Sequence, residues 1–297
     1  MDATLLQSSG LLRSPSFRRL FKSRHQDATK LEIRADSMHV CLRSDLATNF
    51  TVYKLQVRST VRWGDGGEWA LEKRYAEFAI FRARLLKLAQ RWDAMRQRRS
   101  GYKDEKLAAA LLLISNALRR PLECDFPRKH MRRDTAGIIR ERVDGLPPFV
   151  RALLDTYADL CVFVVNDEPH DEQARRELQA VFEELEAFLD IPKTHKEVQK
   201  RQVAAVLKLQ DVCGCENDQG GQCPRSCCIC LNEFASDDAG VMVQLPCQHH
   251  FHEDCVIDWY NTSITCPLCR GDGDGCAIGP ARSSATSDAS TAPSVDA

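Results

Sequence analysis

The chain has 297 residues, fourteen of them cysteine, and a formal net charge of −1 that hides local asymmetry. That length allows two domains plus tails. No apolar run reaches bilayer-spanning length and no secretory signal is present, so a spanning or secreted protein is not expected. Only Cys41, Cys124 and Cys161 precede Cys213, a distribution of reduced, metal-bound thiols in an intracellular, soluble chain rather than of a disulfide scaffold. No internal repeat is evident.

Residues 1–30 are polar and basic, with Arg13, Arg18, Arg19, Lys22 and Arg24. Phe17, Leu20 and Phe21 fall at i, i+3 and i+4 after Pro15, the spacing of a short amphipathic turn able to meet anionic lipid. Terminal segments of this composition are mostly solvated, so the expectation is a basic disordered tail. Strand character follows: Met38–Leu42 is short and apolar, Phe50–Val57 is rich in β-formers, and Glu68–Lys73 alternates with Trp69 and Leu71 on one face. Gly64–Gly67 supplies the turn before the last of these. From Tyr75 the period becomes helical, with Phe78, Phe81, Leu85, Leu88 and Ala89 forming an apolar face that reaches Trp92. Three strands followed by helices define an α+β domain.

The run Leu107–Ile114 is apolar but too short to cross a membrane even when extended to Leu118, and a buried helix is expected there. The sharper alternative is a membrane-inserted loop helix. The cluster Arg119, Arg120, Arg128, Lys129, Arg132 and Arg133 favours an anionic surface, and without interleaved stacking aromatics it does not favour nucleic acid. Leu146–Val165 reads as an apolar helix beginning near Pro147-Pro148. Asp171–Asp190 is an amphipathic helix stopped by Pro192, and Lys193–Asp211 is a helical connector.

The pieces TVYKLQV, EWALEKRYAEF, FPRK and RERVDGLPPFVRALL, in that order over residues 31–192, resemble a PX domain, the phosphoinositide-binding module. The resemblance implies a three-stranded antiparallel sheet with helices. It assigns Arg74 to the 3-phosphate, Tyr75 to packing on the inositol ring, Lys129 to the 1-phosphate and Arg142 to the headgroup from the next helix. A guanidinium fork suits a phosphate, whereas a lysine acts as a point charge. The segment from Arg96 to Pro121 departs from the family's short proline-rich connection, which puts headgroup selectivity in doubt. Each of these residues also has an ordinary reading, as a solvated cation, a core aromatic or half of a surface ion pair.

Residues 193–225 form a linker, Gly/Gln-rich towards its end, where Cys213, Cys215 and Cys223 lack an evident fourth ligand and read as free thiols. In residues 226–271 the metal-ligand types run Cys227, Cys230, Cys247, His249, His252, Cys255, Cys266 and Cys269. Thiolate and imidazole suit zinc, four per closed tetrahedral site, so eight ligands imply two structural zinc ions. Cys228 and His250 are the off-register neighbours of ligands. A domain this small has little core, and the metals are expected to fold it.

CCIC, LPCQHHFHEDCVIDW and CPLCR resemble a RING finger of the two-histidine type, as in ubiquitin ligases. The resemblance implies a cross-brace: Cys227, Cys230, His252 and Cys255 on one zinc, Cys247, His249, Cys266 and Cys269 on the other. It assigns Ile229, Trp259 and Pro267 to a platform for a ubiquitin-conjugating enzyme, and to Arg270 the catalytic part of holding the enzyme–ubiquitin thioester in an attack-ready pose. The sequence therefore leads to a ubiquitin ligase, cytoplasmic and peripheral on endosomal membranes. The rival is a non-enzymatic trafficking adaptor; a finger that itself reads lipid is disfavoured by its lack of a basic cluster between the early ligands. Residues 272–297, with Cys276, have few apolar side chains and no periodicity, and disorder is expected.

Overall fold

The computed structural model describes residues 11, 14–40, 50–62, 67–99, 104–132, 134–212, 226–234 and 241–271. The expectations for Cys41, Cys213, Cys215, Cys223, Cys276 and the tail after 271 lie outside these residues, as does the Gly64–Gly66 part of the turn.

An α+β architecture is observed. Strands β1 (Leu31–Val40), β2 (Phe50–Ser59) and β3 (Glu68–Arg74) form an antiparallel sheet in the order β1-β2-β3, with Leu55 opposite both Ala35 and Leu71. The period-two pattern seen in the sequence buries Thr51, Tyr53, Leu55, Val57 and Ser59 on one face of β2. Helix α2 (Tyr75–Arg99) follows directly and buries Phe78, Phe81, Leu85, Leu88 and Trp92. Phe81 stacks on Phe188 of α5 (Glu172–Phe188) at a centroid separation of 3.8 Å.

Helix α3 (Glu105–Glu123) contains the apolar run. Asp104 caps it, its carboxylate accepting from the Leu107 amide at 3.0 Å. Ala110, Leu111, Leu113, Ile114, Ala117 and Leu118 are all buried, α3 being packed against α2 and against α4 (Ala136–Val165). The buried-helix expectation is the one realised. No helix among the described residues is long and apolar enough to cross a membrane.

Two expectations are corrected. Helix α4 does not begin near Pro147-Pro148; it begins at Ala136, capped by Thr135, and carries both prolines inside it. Burial of Ile138, Arg142 and Leu146 on the near side of the prolines outweighs the local cost of two missing amide donors. The N-terminal segment is also not a disordered tail throughout, because Pro15–Thr29 forms helix α1. Phe17 and Leu20 are each 1% exposed, and Phe17 meets Phe163 of α4 edge-on at 5.3 Å. The i, i+3, i+4 pattern was legible; what made it core is a partner surface some 140 residues away.

Helix α6 (Lys193–Leu207) fulfils the helical connector. Immediately beyond it, β4 (Gln210–Asp211) leaves the connector and joins a second sheet, β4-β5-β6, with β5 (Met242–Gln244) and β6 (His250–His252). Helix α7 (Glu253–Trp259) completes this C-terminal unit over a core of Val243, Leu245, Phe251, Val256, Ile257 and Tyr260.

Candidate metal centre and cationic cluster

Three tight turns carry most of the ligands. At Cys227–Cys230 the Leu231 amide returns to the Cys227 carbonyl at 2.7 Å, and at Cys266–Cys269 the Arg270 amide returns to the Cys266 carbonyl at 2.9 Å. In the third, the Gln248 amide donates to Leu245 at 2.8 Å. Leu231, Gln248 and Arg270 each follow a ligand cysteine and each has a left-handed backbone, with φ of 64°, 65° and 57°. Side-chain-bearing residues tolerate this at a modest cost when the surroundings impose it. Three equivalent turns thus fold the chain sharply back so that thiols a few residues apart converge.

The remaining ligands come from the second sheet and α7. His249 immediately precedes β6, His252 ends it, and Cys255 lies in the first turn of α7. The eight donors assemble into two quartets, Cys227, Cys230, His252, Cys255 and Cys247, His249, Cys266, Cys269, with the donor atoms of each within 4.8 Å of one another. The interleaving that the resemblance implied is the arrangement observed. Both histidines turn Nδ1 inward: His252 Nδ1 is 3.3 Å from Cys230 Sγ and 4.0 Å from Cys255 Sγ, and His249 Nδ1 is 3.2 Å from Cys247 Sγ and 3.6 Å from Cys266 Sγ. These are the edges of a tetrahedron whose centre lies about 2.0–2.3 Å from nitrogen and sulfur, the bond lengths of zinc.

Electrostatics agree with that fit. Burial, reinforced by neighbouring thiols, pushes the Cys247 and Cys255 thiols up to about 12. Burial also opposes ionisation of Cys227, but amides of Cys230, His252 and Ile229 outweigh it and hold that thiol below its usual range. The three thiols of each quartet cannot all ionise on their own; a divalent cation resolves the repulsion and makes each thiol a thiolate beside a neutral imidazole. All four positions of each quartet are protein side chains, so two structural zinc ions fit and no position is left open for a reacting water. Cys228 is exposed and outside both quartets.

Ile229 and Pro267 are half-buried beside the first and last turns. Trp259 ends α7, its ring half-buried and its Nε1 donating to the Thr265 carbonyl at 2.8 Å. Arg270 is exposed. Leu231 and Leu268, 78% and 52% exposed, add apolar surface that the sequence reading missed. The available signal was their position, each a leucine immediately beside a ligand cysteine on a tight turn.

Away from the metal centre, two of the four residues that the PX resemblance assigned to a headgroup, Tyr75 and Arg142, are in contact, and Arg74 precedes Tyr75 in the chain where β3 passes into α2. The Arg74 guanidinium lies 3.3 Å from the Phe50 ring centroid, and its own side chain is exposed. Tyr75 is buried, donating from its hydroxyl to the Pro127 carbonyl at 2.7 Å. The Arg142 guanidinium sits 3.9 Å over the Tyr75 ring and donates to Asp134 at 2.7 Å and to the Tyr53 hydroxyl at 3.3 Å. Arg142 is only 4% exposed, and its buried Nε has no partner among the described protein atoms. Lys129 is exposed on the loop anchored by Pro127.

With this geometry in view, residues 225–270 match the family model described as the Ring finger domain. Over 44 residues the chain is 52% identical to the RING-H2 finger protein ATL39 of Arabidopsis thaliana, covering 15% of this chain and 33% of that one. Over 55 residues it is 44% identical to the RING-H2 finger protein ATL2 of the same plant, 18% of this chain and 17% of the relative. It is 42% identical over 72 residues to the E3 ubiquitin-protein ligase Praja-2 of Rattus norvegicus, 24% of this chain and 9% of that one. The chain thus spans a third or less of the length of these curated relatives. No solved structure matches it. The C-terminal unit is a RING-H2 finger with two Cys/His clusters that can bind two zinc ions.

Proposed function

We propose that this protein is a RING-type ubiquitin ligase. The observation that carries the reading is the pair of interleaved quartets, with Ile229, Trp259 and Pro267 half-buried and Arg270 exposed, in a finger similar to proteins named as E3 ubiquitin-protein ligases. Zinc, when bound, supplies rigidity and no chemistry. Trp259 offers the large ring that dominates small interfaces, held by its bond to Thr265, and Ile229 and Pro267 extend the apolar platform for a conjugating enzyme. Arg270, exposed immediately after the ligand Cys269, bridges the enzyme and its thioester-linked ubiquitin and acts as a positioning residue. The gain is orientational: a floppy conjugate becomes a near-attack conformer for a substrate lysine. Autoubiquitination of purified full-length protein with ubiquitin, activating enzyme and a panel of conjugating enzymes tests this. Chains form on wild type and fade in Trp259→Ala and Arg270→Ala with zinc content unchanged. Absence of chains with every conjugating enzyme, from zinc-loaded protein, would turn the reading to a non-enzymatic adaptor.

The N-terminal domain supports a second element of the proposal, recruitment to phosphoinositide membranes as a PX-like module, with endosomal membranes as the site of action in the cytoplasm. The supporting observation is the Arg142–Tyr75 contact, with Tyr75 bonded to the loop that carries exposed Lys129 and with exposed Arg74 its chain neighbour. Arg74 and Lys129 are the accessible cations for a headgroup; Arg142, occupied by Asp134 and Tyr53, acts from within to hold Tyr75. Arg74→Ala, at an exposed side chain, abolishes sedimentation with liposomes containing phosphatidylinositol 3-phosphate. Undiminished sedimentation would sink the lipid reading and leave the ligase reading intact.

A further inference from the structure

The chain enters the finger's sheet at β4, where Gln210 and Asp211 pair with Gln244 and Val243 of β5, and residues 213–225 follow in the sequence before the Cys227 turn. Beyond this short ladder the finger is gripped from two sides. The grip begins at Glu253, the first residue of α7, whose side chain is 1% exposed. A carboxylate buried that deeply is costly unless paired. Glu253 accepts from Arg18 at 2.9 Å, Arg19 at 3.0 Å and Lys22 at 3.2 Å, all on one face of α1. Lys22 also reaches Asp254 at 2.7 Å, Arg19 pairs with Asp211 of β4, and Lys30 pairs with Asp258. At the other end of α7, Asn261 is fully buried between the two units. Gln202 of α6 donates to its side-chain oxygen at 2.9 Å, and Arg62 donates to its carbonyl at 3.1 Å. Arg62 is held in turn by Gln202 at 2.7 Å and by Asp27 of α1 at 2.9 Å. None of Ile229, Trp259, Pro267 or Arg270 takes part in these contacts.

We propose that α1 and α6 form an intramolecular dock for the finger, and that Glu253 and Asn261 are positioning residues that fix the direction in which the conjugating-enzyme platform points. Its first half, the docking, stands on the ion pairs and the Asn261 network; the second, that docking selects which lysines are reached, rests on the ligase reading. A finger held by charge on one side and by a buried amide network on the other presents its platform in one orientation. A tethered finger would sweep a sphere and modify lysines by accessibility. A docked one modifies those within a fixed arc.

The experiment uses the full chain with a protease site placed within 213–225. After cleavage, the finger fragment co-elutes with the N-terminal fragment in wild type. The charge-reversed Arg18→Glu/Lys22→Glu variant, at two partly exposed side chains, weakens that association by about thirtyfold or more. A milder pair guards against misfolding: Lys30→Asp weakens association, and adding Asp258→Lys restores it. In uncut protein, discharge of ubiquitin-loaded conjugating enzyme onto free lysine is unchanged in these variants, while the set of autoubiquitinated lysines mapped by mass spectrometry broadens. Fragments that separate in wild type, or an unchanged lysine set in a variant shown to be undocked, overturn the proposal. If no discharge occurs in wild type while the fragments stay together, the ligase reading has failed and the dock has not.

Discussion

Two glycines in one helix should respond to the same substitution with opposite signs. A Cβ built on Gly145 of α4 would lie 2.7 Å from Cγ and 3.1 Å from Cδ of Pro127, whereas at Gly137 its nearest contact is Thr135 Oγ1 at 3.9 Å. Replacing glycine by alanine in a helix is intrinsically favourable by about 0.5–1 kcal/mol. At Gly137 that gain stands alone. At Gly145 it meets the rigid ring of Pro127, which cannot swing away as a flexible side chain would, and overpacking of this kind costs about 1–3 kcal/mol. Gly145→Ala therefore destabilises by about 1 kcal/mol net and Gly137→Ala stabilises by about 0.5 kcal/mol. In a chain of this size each kcal/mol moves the melting temperature by about 2–4 °C. Differential scanning calorimetry on both variants reads the two shifts. A raised melting temperature for Gly145→Ala would mean that the Pro127 loop does not rest on α4, and the anchoring of the Lys129 loop through the Tyr75–Pro127 bond would be in question with it.

Chelation of zinc unfolds the finger while leaving the N-terminal domain folded, because the finger's core is six side chains over two metal sites. Metal analysis should return two zinc ions per chain, and zinc loss on acidification should show in a colorimetric assay, since each ligand must be deprotonated to bind. Leu118→Ala, at a fully buried position on α3, costs about 2–5 kcal/mol in denaturant unfolding, a result that a membrane-inserted loop helix would not give.

What the sequence disclosed and what it withheld divide by distance along the chain. The metal ligands span little more than forty residues with donors on tight turns, so spacing alone announced the chemistry, and a family likeness supplied the interleaving that spacing cannot. Strands and helices with clean periods, such as β2 and α2, were legible for the same local reason. Pro147-Pro148 misled because the local rule for prolines lost to burial of Ile138, Arg142 and Leu146. The left-handed backbones at Leu231, Gln248 and Arg270 gave no signal, since none is glycine. Helix α1 was the largest miss. Its apolar triplet was visible, but its burial depends on α4, and its charges find partners 231 to 235 residues further on. No window along the chain holds both halves of that contact.

That contact also bears on the lipid contact that the N-terminal segment offered as an alternative to a solvated tail. A basic amphipathic segment at Arg18–Arg24 reads as a lipid contact, yet Arg18, Arg19 and Lys22 are already committed to Glu253 and its neighbours, and Arg24 is buried against Asp27 at 3.1 Å. A cation paired with a buried carboxylate cannot meet anionic lipid without giving that carboxylate up, which costs more than a surface contact returns. Arg74 and Lys129, by contrast, are exposed and point from a different part of the domain. Docking and lipid binding should therefore be independent. Arg74→Ala should lose liposome sedimentation and keep the cleaved finger bound, and Arg18→Glu/Lys22→Glu should do the reverse. If the α1 variant loses sedimentation as well, the same cations serve membrane and finger in alternation, and membrane binding would release the finger rather than merely localise it.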